Sequence, residues 1–315
     1  LRDFLPGLLH SVSKIEGSEV IVADNASTDG SMEVMHNEFP EVKTLLFDRN
    51  LGFTGGYNRA FREISDRYGR PEYFLLINSD IEVTDRWLEP LVKWMDTHPE
   101  CGACAPKLHS WHDRNSFEYA GAAGGYIDSY GYPFCRGRIM NHLEKDHGQY
   151  DEMAPEVFWA SGACLMVRSS FYERLGGLDS RFFAHMEEID LCWRMQLAGW
   201  RVVVEPKSCV YHLGGGTLQS TSPRKIYFNH RNNLAMLFRC ASPLQRCVVA
   251  VVRPLLDMAA AASYIAGGDV KGAKAVFSAW RDFLRWHSRL ASERRVIRSD
   301  VKSESYNIYK GMIVL

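Results

Sequence analysis

Hydrophobic positions along the first hundred residues follow two alternating periods. Short apolar runs at 19–24, 43–48 and 73–78 predict strands, and helical spacing predicts helices near 30–38, 54–68 and 84–97. A further amphipathic helix is expected at the start, where Leu1, Phe4, Leu5, Leu8, Leu9 and Val12 share one face. This alternation predicts an α/β doubly wound fold with a mainly parallel sheet. Each strand ends in polar residues: Asp24-Asn25, Asp48-Arg49-Asn50 and Asn78-Ser79-Asp80. Ligands of such sheets bind outside the carboxyl ends of the strands, so the three clusters are expected to converge on one crevice.

Beyond residue 100 the pattern changes. Residues 109–155 have little periodicity and are rich in Gly, Tyr, His and charge; a long, substrate-facing excursion containing a hairpin is expected there. Strands resume at 157–167 and 201–205. Between them, residues 185–199 have helical spacing at Met186, Ile189, Trp193 and Leu197 and end at a capping glycine. After Gly214-Gly215-Gly216 the chain becomes helical, with helices expected near 226–238 and 247–266 and a last one carrying Trp280 and Phe283. We therefore divide the chain into residues 1–223, one α/β domain, and residues 224–315, a helical appendage.

Composition sharpens this division. At 315 residues and 46% hydrophobic content the chain can bury a large core. Its net charge of −1 hides an asymmetry: residues 224–315 carry 16 Lys+Arg against 6 Asp+Glu, and residues 1–223 carry 21 against 32. With Trp280, Phe283, Trp286 and long aliphatic runs, the basic end suits an anionic membrane surface better than nucleic acid. Arg253 and Asp257 interrupt the apolar run 247–266 and argue against a spanning helix, since each charge costs roughly 2.5–3.5 kcal/mol at mid-membrane. The last helix either packs on the domain or lies in a membrane interface. Eight cysteines with a single Cys-x-x-Cys pair, Cys101 and Cys104, favour free thiols over disulfides or zinc.

Candidate chemistry gathers at the strand ends. Asp24 and Asn25 open a turn that either caps the next helix or accepts a hydrogen bond from a nucleobase. Asn50, Gly52 and Asn58 lie in a Gly-rich segment entering a helix, where backbone can approach a ligand and a helix N-terminus favours phosphate. It matches neither a dinucleotide nor an ATP fingerprint. Arg224, Lys225 and Arg231 either meet phosphates or are solvated. Glu187-Glu188-Ile189-Asp190 begins a helix, and by helical spacing Glu188 and Asp190 point in different directions.

Together VIVADNASTDGS, NLGFTGGYNRAF, FLLINSDIEV, the stretch from FWASGACLMV through HMEEIDLCWRMQLAGW to VYHLGGGT, and FNHRNNLAMLFR resemble a family 2 glycosyltransferase of the GT-A fold, in the branch similar to bacterial rhamnosyltransferases. The resemblance covers residues 19–238. It implies a Rossmann-like nucleotide-binding sheet with flanking helices, whose first strand is missing ahead of Leu1. It places Asn78-Ser79-Asp80 at the family's Asp-x-Asp motif, with Asn78 in place of the first carboxylate. Asp80 and His212 would hold Mg²⁺ or Mn²⁺ against the donor diphosphate, in a site with less protein charge than two carboxylates supply. The family's acidic pair falls on Glu187-Glu188. Glu188 is expected to be the base and Glu187 its substitute. Asp24, Asn25, Asn50, Gly52, Asn58, Asn78 and Asp80 form the expected donor side. Trp159, Ser161 and Gly162 form the acceptor side, where Trp159 is either a sugar-stacking ring or a core residue. Gly214-Gly215-Gly216 is a hinge or a linker.

The implied activity is inverting, metal-dependent transfer of a sugar such as rhamnose. The donor would be a dTDP- or UDP-type nucleoside-diphosphate sugar and the acceptor a saccharide or polyprenyl-linked glycan, at the cytoplasmic face of the inner membrane. The alternative is a silent GT-A domain that binds sugar nucleotide or glycan as a membrane-associated partner. Asn78 favours the alternative; Glu188, Asp80 and His212 favour the enzyme.

Overall fold

The computed structural model describes residues 1–119, 121–139, 142–152, 155–214, 222–299, 301–302 and 308–309. Its elements run α1 (Leu5–Val12), β1 (Ile21–Asp24), α2 (Ser31–Glu38), β2 (Lys43–Leu46), α3 (Gly52–Tyr68), β3 (Tyr73–Ile77), β4 (Ile81–Val83), α4 (Leu88–Thr97) and β5 (Cys101–Ser110). There follow β6 (Gly125–Asp128), β7 (Pro133–Cys135), β8 (Arg138–Ile139), β9 (His142–Leu143), β10 (Cys164–Arg168), α5 (Ser169–Arg174), α6 (Glu187–Leu197) and β11 (Arg201–His212). The chain ends in α7 (Pro223–Cys240), α8 (Pro243–Ala266), α9 (Val270–Ser299) and β12 (Ile308–Tyr309).

Five strands form the central sheet in the order β3-β10-β5-β11-β4. Side chains alternate across it as the period of two requires. Phe74, Leu76, Ala103, Ala105, Leu165, Val167, Val202 and Val204 enter one core with Phe158 and Trp193. Their neighbours Cys101, Cys104, Cys164, Met166, Val203 and Val210 enter a second core under Val12, Leu88, Leu91 and Met95. The layout is the expected α/β one, but strand pairing is mixed rather than mainly parallel. β5–β11 is parallel, whereas β3–β10, β10–β5 and β11–β4 are antiparallel. Two features cause this: β10 enters the sheet between β3 and β5 from the excursion instead of from a crossover helix, and the three-residue β4 lies antiparallel to β11 at the sheet edge.

β1 and β2 pair in parallel as a separate two-stranded sheet. Among the described residues β1 pairs only with β2, and β3 only with β10. Helix α3 links the two sheets: Ile64 packs with Leu45 and Phe47 of one, and Tyr57 donates its hydroxyl to the Ile77 carbonyl of the other at 2.8 Å.

The excursion contains the hairpin β6–β7, extended by β8 and β9. Gly125 of β6 pairs with Trp159. Helices α7 and α9 place Leu234, Met236, Leu237, Phe283 and Leu290 in the same apolar cluster as the first sheet face. The change of charge at residue 224 therefore does not coincide with a break in the core.

Candidate active site

The turn before α6 is built against backbone preference. Phe183, His185 and Met186 hold φ values of 65°, 70° and 70°, a left-handed conformation costing a non-glycine residue roughly 1–3 kcal/mol. Helix α7 supplies the restraint. Asn232 Nδ2 donates to the carbonyls of Phe182, Ala184 and His185 at 3.0, 3.0 and 2.8 Å. Arg231 Nη2 donates to the carbonyls of Arg181 and Phe182 at 2.9 and 3.1 Å. Arg231 is thus buried on the protein's own backbone, neither solvated nor free for a phosphate. Arg224 stands over the Phe183 ring at 4.9 Å and is exposed beside this turn.

Out of this turn α6 starts with Glu187 and Glu188. Asp190 lies beneath them, fully buried, accepting from Arg194 Nε at 2.8 Å and from Arg239 Nη2 of α7 at 2.5 Å. Glu187 is 5% exposed and Glu188 half-buried. The Oε2 atom of each is buried without a hydrogen-bond partner. Burial raises both carboxyl pKa values, and the charge of Glu188 adds to the rise at Glu187. Gly162 abuts this pair: a Cβ placed there would meet Glu188 Cβ at 3.4 Å and the Phe53 ring at 3.5 Å. The next residue, Ala163, accepts the Asn78 N–H at 2.9 Å. One short turn, Ser161 to Ala163, therefore touches both the acid-bearing helix and the loop Asn78-Ser79-Asp80.

At the other end of that loop β4 pairs with β11, setting Ile81 opposite His212. Asp80 Oδ1 comes within 3.4 Å of His212 Nε2, and His212 Nδ1 within 3.4 Å of Glu118 Oε1. Burial alone would lower the imidazole pKa, but Asp80 and Glu118 outweigh it and raise His212 to about 9. Desolvation would likewise raise Asp80, and His212 outweighs it, leaving the carboxyl below its ordinary value. Among the described residues no group of three His, Cys, Asp or Glu side chains could alone hold a metal ion. Asp80 and His212 offer one oxygen donor and, once the imidazole has lost its proton, one nitrogen donor. This set fits a cation such as Mn²⁺ whose remaining ligands come from a diphosphate and water.

On the donor side the structure assigns scaffold tasks to several expected contacts. Asn25 Nδ2 donates to Gly52 O at 2.9 Å and to Asn50 Oδ1 at 3.3 Å, and its Oδ1 accepts Leu51 N–H at 2.8 Å. Asn50 Oδ1 also accepts Gly52 N–H at 2.8 Å. The two asparagines thus staple the loops after β1 and β2 together. Asn58 donates to Leu178 O and Ser180 Oγ and accepts from Tyr172 and Leu178, which leaves its amide no free hydrogen for a ligand. Asp24 accepts the Ser27 N–H at 3.2 Å within its turn. Gly52 has φ of 72°, and a Cβ there would lie 2.5 Å from the Phe183 ring, so both conformation and space require glycine. With Leu51 N–H held by Asn25, Gly52 N–H by Asn50 and Thr54 N–H by Phe183 O at 3.2 Å, three of the four N–H groups that α3 could turn to phosphate are taken.

Trp159 is a core residue. It is 5% exposed, donates Nε1–H to Tyr126 O at 2.9 Å, and its ring covers Gly125, where a Cβ would fall 1.9 Å from Cε2. It therefore presents no free face for a sugar. Ser161 is buried with Oγ accepting Ala163 N–H at 3.3 Å, and only Gly162 of the expected acceptor set adjoins the carboxylates. Of the glycine hinge, Gly215 and Gly216 lie outside the described residues. Glu118, Asn232 and Arg239 were not foreseen. Glu118 sits in the aperiodic excursion, and the two α7 residues read as part of an ordinary helix.

The glycosyl transferase family 2 model matches residues 2–176 of the chain. Among curated relatives, the N-acetylglucosaminyl-diphospho-decaprenol L-rhamnosyltransferase of Mycobacterium tuberculosis (strain CDC 1551 / Oshkosh) is 28% identical over 225 residues. That match covers 67% of this chain and 71% of the relative. Among solved structures, GalNAc-T7 with UDP, GalNAc and Mn²⁺ aligns with a TM-score of 0.55 at 15% identity, over 78% of this chain and 46% of that one. Staphylococcus aureus TarS 1–349 in complex with UDP aligns with a TM-score of 0.53 at 15% identity, over 95% of this chain and 84% of that one. These likenesses establish a GT-A fold.

Proposed function

The chain belongs to glycosyl transferase family 2 and is a glycosyltransferase; from that premise we propose that it transfers rhamnose from a dTDP- or UDP-type donor to a saccharide or polyprenyl-diphosphate-linked acceptor, with inversion and with a divalent cation. The rhamnose and the lipid-linked acceptor follow the name of the mycobacterial relative. UDP and Mn²⁺ accompany the structural neighbours.

The observation that carries the reading is the Ser161–Ala163 turn, which adjoins Glu188 on one side and the Asn78–Asp80 loop on the other. Glu188 is the base. It is half-buried where Glu187 is closed in, so of the two it is the one that an acceptor hydroxyl can approach. Its raised pKa makes it a stronger base than an ordinary glutamate while leaving it ionisable in the neutral range. Glu187 is more closed in, and burial, with the charge of Glu188, raises its carboxyl pKa well above the ordinary value, so the role of base does not fall to it. As the acceptor oxygen bonds to the anomeric carbon, the bond from that carbon to the diphosphate oxygen breaks. The hydroxyl proton passes to Glu188. One displacement with no enzyme nucleophile inverts the anomeric centre.

Asp80 and His212 would hold the divalent cation, which when bound stabilises the charge on the departing diphosphate. Asn78 in place of a carboxylate leaves more of that coordination to the diphosphate. Arg224 and Lys225, beside the Phe183–His185 turn, are placed to meet phosphate oxygens.

Transfer assays with dTDP- and UDP-sugars, in Mn²⁺, Mg²⁺ or EDTA, test this proposal, with NMR assignment of the product anomer. Metal-dependent turnover with inversion is expected. Retention of configuration, undiminished turnover in EDTA, or nucleotide binding without turnover on any acceptor would overturn it.

A further inference from the structure

Helix α8 is inverted relative to a soluble surface helix. Over its 24 residues every exposed position is uncharged. Leu244, Val248, Val251, Leu255, Met258 and Ile265 lie on this outer side, with Leu244 and Leu255 77% and 69% exposed. Its charges point inward. Arg253 and Asp257, which in sequence argue against contact with a bilayer core, are buried and paired with each other at 3.3 Å. Asp257 also accepts from Trp280 Nε1 at 2.9 Å and lies 3.2 Å from His230 Nδ1, while Arg253 donates to Asn233. Arg246 folds back over the Phe238 ring at 4.6 Å. Water-facing helices normally carry their charges outward, and an apolar face this long, about 36 Å at 1.5 Å per residue, marks an interaction site.

We propose that the outer face of α8 lies in the interface of a membrane containing anionic lipid. The neighbouring helix supplies the charge complement. On α9, Val270, Phe277 and Leu284 form an exposed line at seven-residue spacing, and by helical spacing Lys274, Arg281 and Arg285 run beside it. Asp282 pairs with Arg281 and Arg285, yet the exposed charged residues of α8 and α9 are all basic: Lys271, Lys274, Arg281, Arg285, Arg289 and Arg295. This excess favours anionic headgroups and disfavours a second copy of the same basic surface. The helix is long and apolar enough to cross a membrane, but its inner face is committed to buried charge and to α9. It therefore lies along the bilayer rather than through it.

The inner face reaches the acceptor side of the catalytic domain. The Arg253 guanidinium stacks 4.1 Å from the Tyr132 ring, and Tyr132 donates its hydroxyl to Asp257 at 3.3 Å. Tyr132 adjoins the β6–β7 hairpin, whose Tyr126 carbonyl holds Trp159, two residues before Ser161. A helix seated on lipid would thus fix the height of the Ser161–Ala163 turn above a lipid-linked acceptor. This last step rests on the proposed acceptor; the membrane face does not.

Cys247 offers the test, because among the eight cysteines it alone is exposed. Full-length protein carrying an environment-sensitive fluorophore on Cys247 is mixed, without donor or acceptor, with vesicles of phosphatidylcholine alone or with equal phosphatidylglycerol, and unlabelled protein is co-sedimented with both. Blue-shifted emission, quenching by a bilayer-borne quencher and binding favoured by phosphatidylglycerol are expected. The neutral double substitution Leu244→Gln with Leu255→Gln should cut partitioning about tenfold or more at unchanged circular dichroism and nucleoside-diphosphate affinity. No vesicle binding, binding untouched by the double substitution, or a blue shift that follows protein concentration without lipid would overturn the proposal, the last in favour of self-association. Loss of turnover with vesicle binding intact would count against the catalytic reading and leave the membrane face standing.

Discussion

The two sides of the proposed catalytic crevice, its base side and its metal side, are held in place by different means. On the base side, three non-glycine residues with positive φ precede Glu187, five hydrogen bonds from Arg231 and Asn232 pin the carbonyls of 181–185, and buried Asp190 ties α6 to α7. On the metal side, Asp80, His212 and Glu118 sit in a row with gaps of 3.4 Å, located chiefly by the pairing of a three-residue strand with β11. A base must stand within hydrogen-bond reach of one hydroxyl before the reaction begins, so its position is worth strained backbone. A cation site can be completed by the ligand it serves, and this chain leaves it to be completed.

That contrast can be broken in graded ways. Glu188→Gln should have the largest effect, lowering kcat about 10²–10⁴-fold in steady-state transfer assays; a loss below tenfold would remove Glu188 from the base side. Arg239→Met strips one of two partners from buried Asp190 and should cost about 3 kcal/mol in urea unfolding, at the low end for a broken buried pair because Arg194 remains. Asn232→Ala frees the carbonyls of Ala184 and His185 and leaves that of Phe182 to Arg231 alone, and should lower kcat roughly tenfold at nearly constant donor KM, because only the geometry of the base relaxes.

Glu187→Gln should raise the melting temperature at pH 8 by a few degrees. The sign follows from the raised pKa in the fold: the buried carboxyl favours folding while protonated and loses that contribution as pH rises through its folded pKa. The gain should therefore shrink as pH falls toward the ordinary glutamate range. The smallest effect is expected of Asn78→Asp, which adds a hard oxygen donor and should lower the Mn²⁺ concentration for half-maximal activity about two- to tenfold.

Much of this contrast was legible in the sequence, unevenly. The apolar runs and helical spacings located β1 to β3 and α2 to α4 to within a few residues, because one buried face sets the period. The ten-residue strand β5 was not visible: its Cys-Gly-Ala-Cys-Ala-Pro opening is made of small residues that fit where Met195 and Trp200 crowd the sheet, as the close approach to Gly102 shows. The pairing of Asp80 with His212 came from the family resemblance. The tasks of Asn25 and Asn58 did not, and that of Trp159 stayed open between sugar stacking and the core, since an amide or indole that binds a ligand reads the same as one that binds its own backbone. The restraint by Arg231, Asn232 and Arg239 joins residues about fifty positions apart, a distance at which local pattern says nothing.

The central claim, that one side of the crevice moves the proton and the other holds the leaving group, is tested most directly by calorimetric titration of the nucleoside diphosphate with and without Mn²⁺, comparing Glu188→Gln with Asp80→Ala. The account predicts that Glu188→Gln binds as the parent does, with the same Mn²⁺ dependence despite its lowered kcat, whereas Asp80→Ala loses the Mn²⁺ dependence. Equal loss of Mn²⁺-dependent binding in both variants, or none in Asp80→Ala, would contradict it.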